Sequence, residues 1–414
     1  MLGDWRTVKL KDVTSKIGSG ATPRGGKNSY KESGISLVRS LNVYDFKFEK
    51  KALAYIDNVQ AERLSNVVVE ESDILLNITG ASVARCTIVP NDILPARVNQ
   101  HVAIIRVKEN IADPYFVLYS INSNYYKHRL LTLVQGGATR EALTKEMIEN
   151  FEIKLPPLQT QQKIASILST YDDLIENNNR RIAILEEMAQ KLYREWFVKF
   201  CFPGYEEVKM VESELGLIPE GWEVVTASDA MKINPRTTLS KEGEKPYLSM
   251  SYLSEDSMII KGHEYRAGNS GTKFKNGDTL FARITPSLEN GKTGYVQFLD
   301  DENPIGFGST EFIVLRSKTL SPEYVYCLAR SDNFRDNAIK SMTGATGRQR
   351  VQNSCFDNYF FAQPSEDVLK QFTDVVQPIF ELIGSLHKKN QNLRQQRDLL
   401  LPRLISGKIK VVEE

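Results

Sequence analysis

The chain has 414 residues, of which 41% are hydrophobic and 25% charged, a size and balance that allow two or three globular domains and argue against disorder. Its 53 Lys and Arg nearly cancel 52 Asp and Glu, so net charge does not point to a polyanionic partner, and any basic face must be local. Four scattered cysteines, Cys86, Cys201, Cys327 and Cys355, show no CxxC spacing; this argues against a zinc site or disulfide framework, suits a reducing cytosol, and marks them as packing residues.

The opening MLGDWRTVKLKDV lacks the apolar core of a signal peptide, and no later run approaches a membrane span, so a cytoplasmic protein without a membrane partner is expected. GSGATPRGGKNS, Gly18 to Ser29, has the look of a phosphate cradle. Pro23 stands at the third glycine of GxGxxG, however, and Ala21 where a P-loop needs glycine. The NGKT at Asn290 fails in the same way, because Pro286 replaces its upstream glycine. Short aliphatic runs (DILLNI, HVAIIRV, TLFARI, EFIVLR) bounded by Gly, Pro, Asn and Asp read as strands. Helical stretches near Pro114 to Leu131 and Pro322 to Ile339 follow the last clear strands, giving mixed α+β domains.

Those runs belong to an internal repeat. DPYFVLYSINSNYYKHRLLTLVQGGATR from Asp113 aligns without a gap on SPEYVYCLARSDNFRDNAIKSMTGATGR from Ser321, placing Pro114 on Pro322, Gly136 on Gly344, Arg140 on Arg348, Phe151 on Tyr359 and Pro156 on Pro364. Upstream, with small gaps, GDW at Gly3 answers EGW at Glu220, SDILLNITG answers GDTLFARITP, and HVAIIRV answers EFIVLRS. A repeat of this length is not a solenoid unit. It describes two similar domains with approximate internal two-fold symmetry, suited to a two-part target.

Each unit ends in a proline stop, LPPL at Leu155 and AQP at Ala362, followed by about forty residues able to form a helix of roughly 60 Å. In the first, Ile164, Leu168, Tyr171, Ile175, Ile182, Leu185, Ala189, Leu192 and Trp196 alternate steps of four and three, a heptad seam interrupted by Asn178. The repeat carries the seam to Phe372, Val376, Ile379, Ile383, Leu386, Leu393, Leu400 and Leu404, with Asn390 and Arg397 as polar exceptions. Pro378 and Gly384 lie inside this second helix, and the proline is expected to kink it or delay its start.

Antiparallel packing explains why helix-poor asparagines crowd into ENNNRR at Glu176 to Arg181. Setting Asn178 opposite Asn390 also sets Ile164 against Leu404, Ile175 against Leu393, Trp196 against Phe372, and Arg397 against Tyr171, where a guanidinium can lie on the ring. A buried amide pair costs stability but fixes register. The plain alternative is that Asn177 to Asn179 form a solvated face or a local helix break.

Chemistry of the catalytic kind is not visible. The histidines His101, His128, His263 and His387 show no metal-ligand spacing, and the paired carboxylates Asp172-Asp173 and Glu186-Glu187 fall on the long helix, as solvated faces do. No amine-methylation motif and no HExxH is present, so no cofactor and no metal is expected. What remains are polar and basic residues in corresponding loops. In the first unit these are Thr22, Arg24 and Lys27; Arg39, Ser40 and Asn42; Asn77, Thr79 and Arg85; and Arg140. In the second they are Ser249, Ser251 and Tyr252; Arg283, Thr285 and Lys292; and Arg348 and Arg350. Such side chains hold phosphates or read base edges, arginine favouring guanine and asparagine adenine; each is equally at home on a plain surface.

These stretches resemble the specificity subunit of type I restriction-modification systems over nearly the whole chain. GSGATPRGGKNSY with GISLVRSLNV is similar to the opening of that family's target recognition domain, SDILLNITGASVARC and RVNQHVAIIRV to its middle, and GGATREALTKEMIENFEIKLPPLQTQQKIASIL to its exit into the central helix. PEGWEVV at Pro219 resembles the start of a second such domain and LLLPRLISGKI at Leu399 the usual ending, while NPRTTLSKEG at Asn234 mirrors the first loop only loosely.

The resemblance implies an α+β protein with two similar β-rich target recognition domains, 1–156 and 204–364, separated by two long antiparallel helices, 157–203 and 365–414, in a pseudo-two-fold coiled coil. It implies a non-catalytic chain that reads a bipartite, asymmetric site on double-stranded DNA, with the helical pair as a ruler. By the same resemblance, two methyltransferase subunits are expected to dock on it and bring the S-adenosylmethionine, with restriction subunits as further partners in complexes that carry them. The competing reading is a coiled-coil scaffold or protein-interaction module without sequence-specific DNA binding.

Overall fold

A computed structural model of the chain describes residues 5–135, 142–345 and 347–411. They fall into two units, Met1–Glu176 with Gln391–Glu414, and Asn177–Asn390. In the first unit an antiparallel sheet has the order Thr14–Ser19, Val102–Val107, Ile74–Asn77, Cys86–Ile88. A second sheet has the order Ala54–Ile56, Ile35–Val38, Ala96–Val98, Val68–Val69, with the central pair parallel. The run VAIIRV is apolar except for Arg106 because its strand is covered on both faces. Ala103, Ile105 and Val107 face a core shared with Phe116, Ile164 and Leu404, while Val102 and Ile104 face a core shared with Leu37 and Val98.

The second unit repeats this topology. Met231–Ile233, Phe312–Ser317, Thr279–Ala282 and Thr293–Tyr295 form the first sheet; Glu264–Ala267, Glu244–Leu248, Gly306–Gly308 and Thr272–Phe274 form the other, again with a parallel central pair. Ile313 and Leu315 face one core, Phe312 and Val314 the other. In each unit an antiparallel two-stranded ribbon, Arg6–Lys9 with Glu152–Leu155 and Glu223–Thr226 with Phe360–Gln363, joins the unit's entry to its exit into a long helix. Local capping follows the sequence: Asp113 and Ser321 accept hydrogen bonds from the backbone of Phe116 and Tyr324, each with proline at the first helical turn.

One buried ion pair occurs twice. Asp73 accepts from Arg106 Nε and Nη2, both at 2.8 Å, and from the Glu70 backbone at 2.7 Å. Asp278 accepts from Arg316 Nε at 2.6 Å and Nη2 at 2.7 Å, and from the Lys275 backbone at 2.8 Å. Both carboxylates are fully buried, and the planar fork of arginine meets each one at two points.

The long helices are Leu158–Tyr193 and Glu366–Ile405. Pro378 neither ends the second helix nor delays its start: it sits on the exposed face, where one missing backbone bond is offset by Phe372, Val376 and Ile383 buried opposite. At Gly384 the Gln297 side-chain amide lies 2.9 Å from the place a Cβ would take, so a larger residue there would require that amide to swing aside. Within each unit the helical segments run antiparallel. In the first, Ile164 and Leu404 share a core and Arg397 reaches Asp172. In the second, Trp196 meets Phe372 with ring centroids 5.9 Å apart, while Asn178 Nδ2 donates to Asn390 Oδ1 at 2.8 Å and Asn390 Nδ2 to Asn179 Oδ1 at 2.9 Å. Both seam asparagines are buried, so the centre is neither a helix break nor a solvated face.

The seam differs from the sequence reading at Arg397. Its guanidinium does not lie on Tyr171 but sits 4.3 Å from the Phe46 ring, bonded to Asp172 and, from Nη2, to Asp398 at 2.9 Å. The nearby carboxylates and a ring from the globular part of the unit outweigh the facing helix residue. The cysteines also divide: Cys86, Cys327 and Cys355 are buried, whereas Cys201, in the turn after the first long helix, is exposed. No helix among the described residues is long and apolar enough to cross a membrane.

Replacing Asn178 with leucine removes the hydrogen bond that Asn178 Nδ2 gives to the buried Asn390 Oδ1, and should lower stability by about 1–3 kcal/mol. Replacing both asparagines with leucine should return stability to the starting value or above it. Denaturant unfolding of Asn178→Leu, Asn390→Leu and the double variant tests the pair: a double loss equal to the sum of the two single losses would show that the amides are not coupled.

Candidate nucleic-acid interface

In the first unit the described candidate residues lie at the end of Ile74–Asn77, on the segment after it, and on the segments after Thr14–Ser19 and Ile35–Val38. They separate into two kinds. Asn42 and Asn77 are fully buried. Asn42 accepts from the Arg39 backbone at 3.0 Å and donates to the Glu49 carbonyl at 2.9 Å, while Asn77 Nδ2 donates to the carbonyls of Ser40 at 2.9 Å and Val43 at 3.2 Å. Their amides hold the loop, so they are withdrawn as base readers: a side chain closed over by its own loop cannot reach a groove. Ser40 enters through its carbonyl, as the acceptor just given.

The others lie nearer the surface. Arg39 lies 5.2 Å from the Tyr30 ring and bonds the Ala52 carbonyl, and Arg85 lies 4.9 Å from the Tyr44 ring. Arg24 and Lys27 are exposed; Thr22 and Arg24 line a cleft with Gln60 and Arg63. Gly25 and Gly26 take left-handed φ of 94° and 56°, so this doublet serves a turn and not a nucleotide cradle. Thr79 Oγ1 meets His101 Nδ1 at 2.6 Å, Gln100 Nε2 meets His101 Nε2 at 3.0 Å, and the Thr22 hydroxyl donates to Gln100 Oε1. With Gln100 donating to Nε2, the matching tautomer carries its proton on Nδ1 and donates to Thr79. Arg140 and the Gly136-Gly137 pair lie outside the described residues.

The second unit builds its rim from the same elements. Ser249 and Ser251 share a hydrogen bond of 2.7 Å, and Tyr252 donates to Glu264 at 3.0 Å. Lys292 Nζ reaches the Met250 carbonyl at 3.3 Å, which ties two candidate loops together. Thr285 is buried and accepts from the Gln349 backbone at 3.1 Å, so it too is a loop support and not a contact residue. Arg283 donates its backbone N–H to Glu311 at 2.9 Å and its Nε to the Val351 carbonyl at 3.4 Å. Arg348 is exposed. Arg350 grips Glu311, from Nε at 3.0 Å to each carboxylate oxygen and from Nη2 at 2.7 Å.

Three rim residues escaped the sequence reading: Gln100, His101 and Glu311. The repeat held the signal, since it sets HVAIIRV against EFIVLRS and so His101 against Glu311, a difference in chemistry where the flanking strand keeps its pattern. Among the described residues no group of His, Cys, Asp or Glu could hold a metal ion. The surface offers hydrogen-bond donors and acceptors and local positive charge.

A profile described as the type I restriction modification DNA specificity domain matches residues 3–187 and 219–395. The chain is 27% identical, over 99% of its length and 94% of the relative's, to the type I restriction enzyme MjaIX specificity subunit of Methanocaldococcus jannaschii. It is 22% identical, over 99% of its own length and all of the other, to the HindI specificity subunit of Haemophilus influenzae. The crystal structure of a type I restriction-modification S subunit from M. genitalium shares the fold, with a TM-score of 0.57 at 14% identity over 97% of this chain and 96% of that one.

Proposed function

Because the chain belongs to the type I restriction modification DNA specificity family, we propose that it reads a bipartite, asymmetric sequence on double-stranded DNA, one half-site per unit. The observation that carries this reading is one topology built twice with different rims: neutral Thr79, His101 and Gln100 in one unit, charged Arg283, Glu311 and Arg350 in the other. Two copies of one scaffold with different donors and acceptors are what two unlike half-sites require. A scaffold without DNA recognition is not favoured.

In this reading the chain itself catalyses nothing and takes no cofactor. Residues 1–156 and 204–364 are the recognition domains, and 157–203 and 365–414 are the helices that carry partners. The exposed Arg24, Lys27 and Arg348, with the half-buried Arg85, serve as contacts to phosphate or base. Methyltransferase subunits supply S-adenosylmethionine, and restriction subunits join where the system has them. A cytoplasmic location, where DNA and both partners are at hand, fits this assignment.

Two methyltransferase copies are supported by a repeated apolar stripe. On the first long helix Ile167 and Leu174 are 38% and 43% exposed, and at the corresponding positions of the second helix Val375 and Leu382 are 46% and 39% exposed. Large apolar side chains left in solvent at the same places of a repeat mark a docking face present twice.

Exchanging residues 1–150 for another recognition domain should change one half-site and leave the other intact. Binding selection on randomised duplexes, with the methyltransferase subunits present, measures this. A change in both half-sites would contradict one domain per half, and a chain that retards no duplex in that complex would return the scaffold reading.

A further inference from the structure

The two units share what holds their fold and differ in what meets solvent. The buried fork between aspartate and arginine recurs with the same atoms in both, Asp73 with Arg106 and Asp278 with Arg316. A few residues away the likeness stops. The strand registers set Val102 beside Asn77 and Phe312 beside Ala282, so His101 and Glu311 occupy one position. Isolated bridges join Thr79 to Ala142 and Ile284 to Arg350, so Ala142 and Arg350 occupy another. The second unit therefore carries a charged pair where the first carries a neutral imidazole and a methyl group.

We propose that Glu311 and Arg350 act together as a specificity-determining pair that selects a G·C base pair in the half-site read by the second unit; this rests on the DNA-reading function given above. The pair is reachable, with the Arg350 and Glu311 side chains 46% and 23% exposed. It is also held in place. The Arg350 backbone exchanges hydrogen bonds with Thr343 at 2.8 and 3.0 Å, and the Glu311 carbonyl is fixed by the Arg283 N–H at 2.9 Å. A rigid support of this kind is what readout by geometry needs.

The remaining valences fit one base pair. Nε and Nη2 of Arg350 are engaged by Glu311, while Nη1 has no hydrogen bond among the described residues. The Nη1 donors suit guanine, whose N7 and O6 accept in the major groove. The carboxylate suits cytosine, whose N4 donates there and whose own groove edge carries no acceptor. Adenine also offers a donor at N6, but its N7 lone pair would face the carboxylate, and thymine presents O4, a second acceptor. A carboxylate near phosphates is otherwise unfavourable, and Arg350 offsets its charge while leaving its outward lone pairs available.

Binding selection on randomised duplexes with the methyltransferase complex of the wild-type chain, and of chains carrying Glu311→Gln or Arg350→Gln, tests the proposal. The wild type should give a bipartite motif with a required G·C pair in the half that persists when residues 1–150 are exchanged. Glu311→Gln should lower discrimination at that pair by roughly 5- to 100-fold, the range of one good base contact, with the other half and the thermal midpoint unchanged. Arg350→Gln should relax the same position. A wild-type motif that neither variant alters, or that changes in the other half, overturns the pair while leaving the bipartite reading intact. A wild-type selection without a bipartite motif overturns that reading and the pair with it.

Discussion

Replacing Asp278 by alanine is expected to cost the second unit about 3–5 kcal/mol, because the Arg316 guanidinium stays buried after losing its partner. The side chains are 0% and 16% exposed, so water cannot stand in for the carboxylate. The loss also releases the Lys275 N–H, which Asp278 accepts at 2.8 Å. The first unit offers an internal control, since Asp73 makes the same three contacts with Arg106 and Glu70, and Asp73→Ala should cost a similar amount there. The double replacement Asp278→Leu with Arg316→Met should recover most of the loss, because an apolar pair of similar volume has no charge to strand. Denaturant unfolding reads all three. A single-variant loss below about 1 kcal/mol would place the pair among those that contribute little.

That pair also shows where the sequence is legible and where it stops. The repeat places Asp73 on Asp278 and Arg106 on Arg316, but in the sequence these residues look like polar ends of apolar strands. Nothing in the spacing says that two strands lie side by side and bring aspartate and arginine together. The helical seam is easier, because heptad period and antiparallel order together fix which positions meet, and the Asn178–Asn390 bond at 2.8 Å follows from that rule alone. The rule covers only helix against helix. Arg397 meets Phe46, a residue of the globular part of the unit at φ 57° in a loop, and no periodicity connects the two. Rim residues fail differently: Asn42 and Asn77 have the side chains of base readers, yet which way an amide points at a strand end is decided by the loop that closes over it. Glu311 is the converse, an acidic residue whose type alone does not mark it as a contact to a polyanion.

Repeat and exception meet at Arg397. The corresponding position of the other helix is Ala189, and the counterparts of Asp172 and Tyr119 are Phe380 and Cys327. The second unit fills this place with rings, Phe380 lying 5.0 Å from Tyr295 and 5.6 Å from Tyr326. The first unit fills it with charge: Arg397 bonds Asp172, whose other oxygen accepts from the Tyr119 hydroxyl at 2.6 Å. Burial holds the Asp172 carboxyl above its ordinary value, against the pull of Arg397 and of that hydroxyl.

Arg397→Met removes the larger part of that pull, so the carboxyl rises further. Stability of the first unit at neutral pH should then fall by about 2–4 kcal/mol, somewhat less than for a fully enclosed pair because Asp172 remains 22% exposed. The sign of the pH dependence follows from proton binding. With its value raised in the folded chain, Asp172 binds a proton there more readily than in the unfolded chain, so stability declines as pH rises from the unfolded carboxyl value through the folded one. The variant should therefore lie closest to wild type in mild acid and furthest from it near neutrality. Adding Asp172→Leu and Tyr119→Phe, in the manner of the other unit, should remove that dependence and restore much of the stability. Unfolding curves across this pH range decide the matter: a loss in Arg397→Met that is the same at every pH would mean that Arg397 acts through its packing on Phe46 and not through its charge.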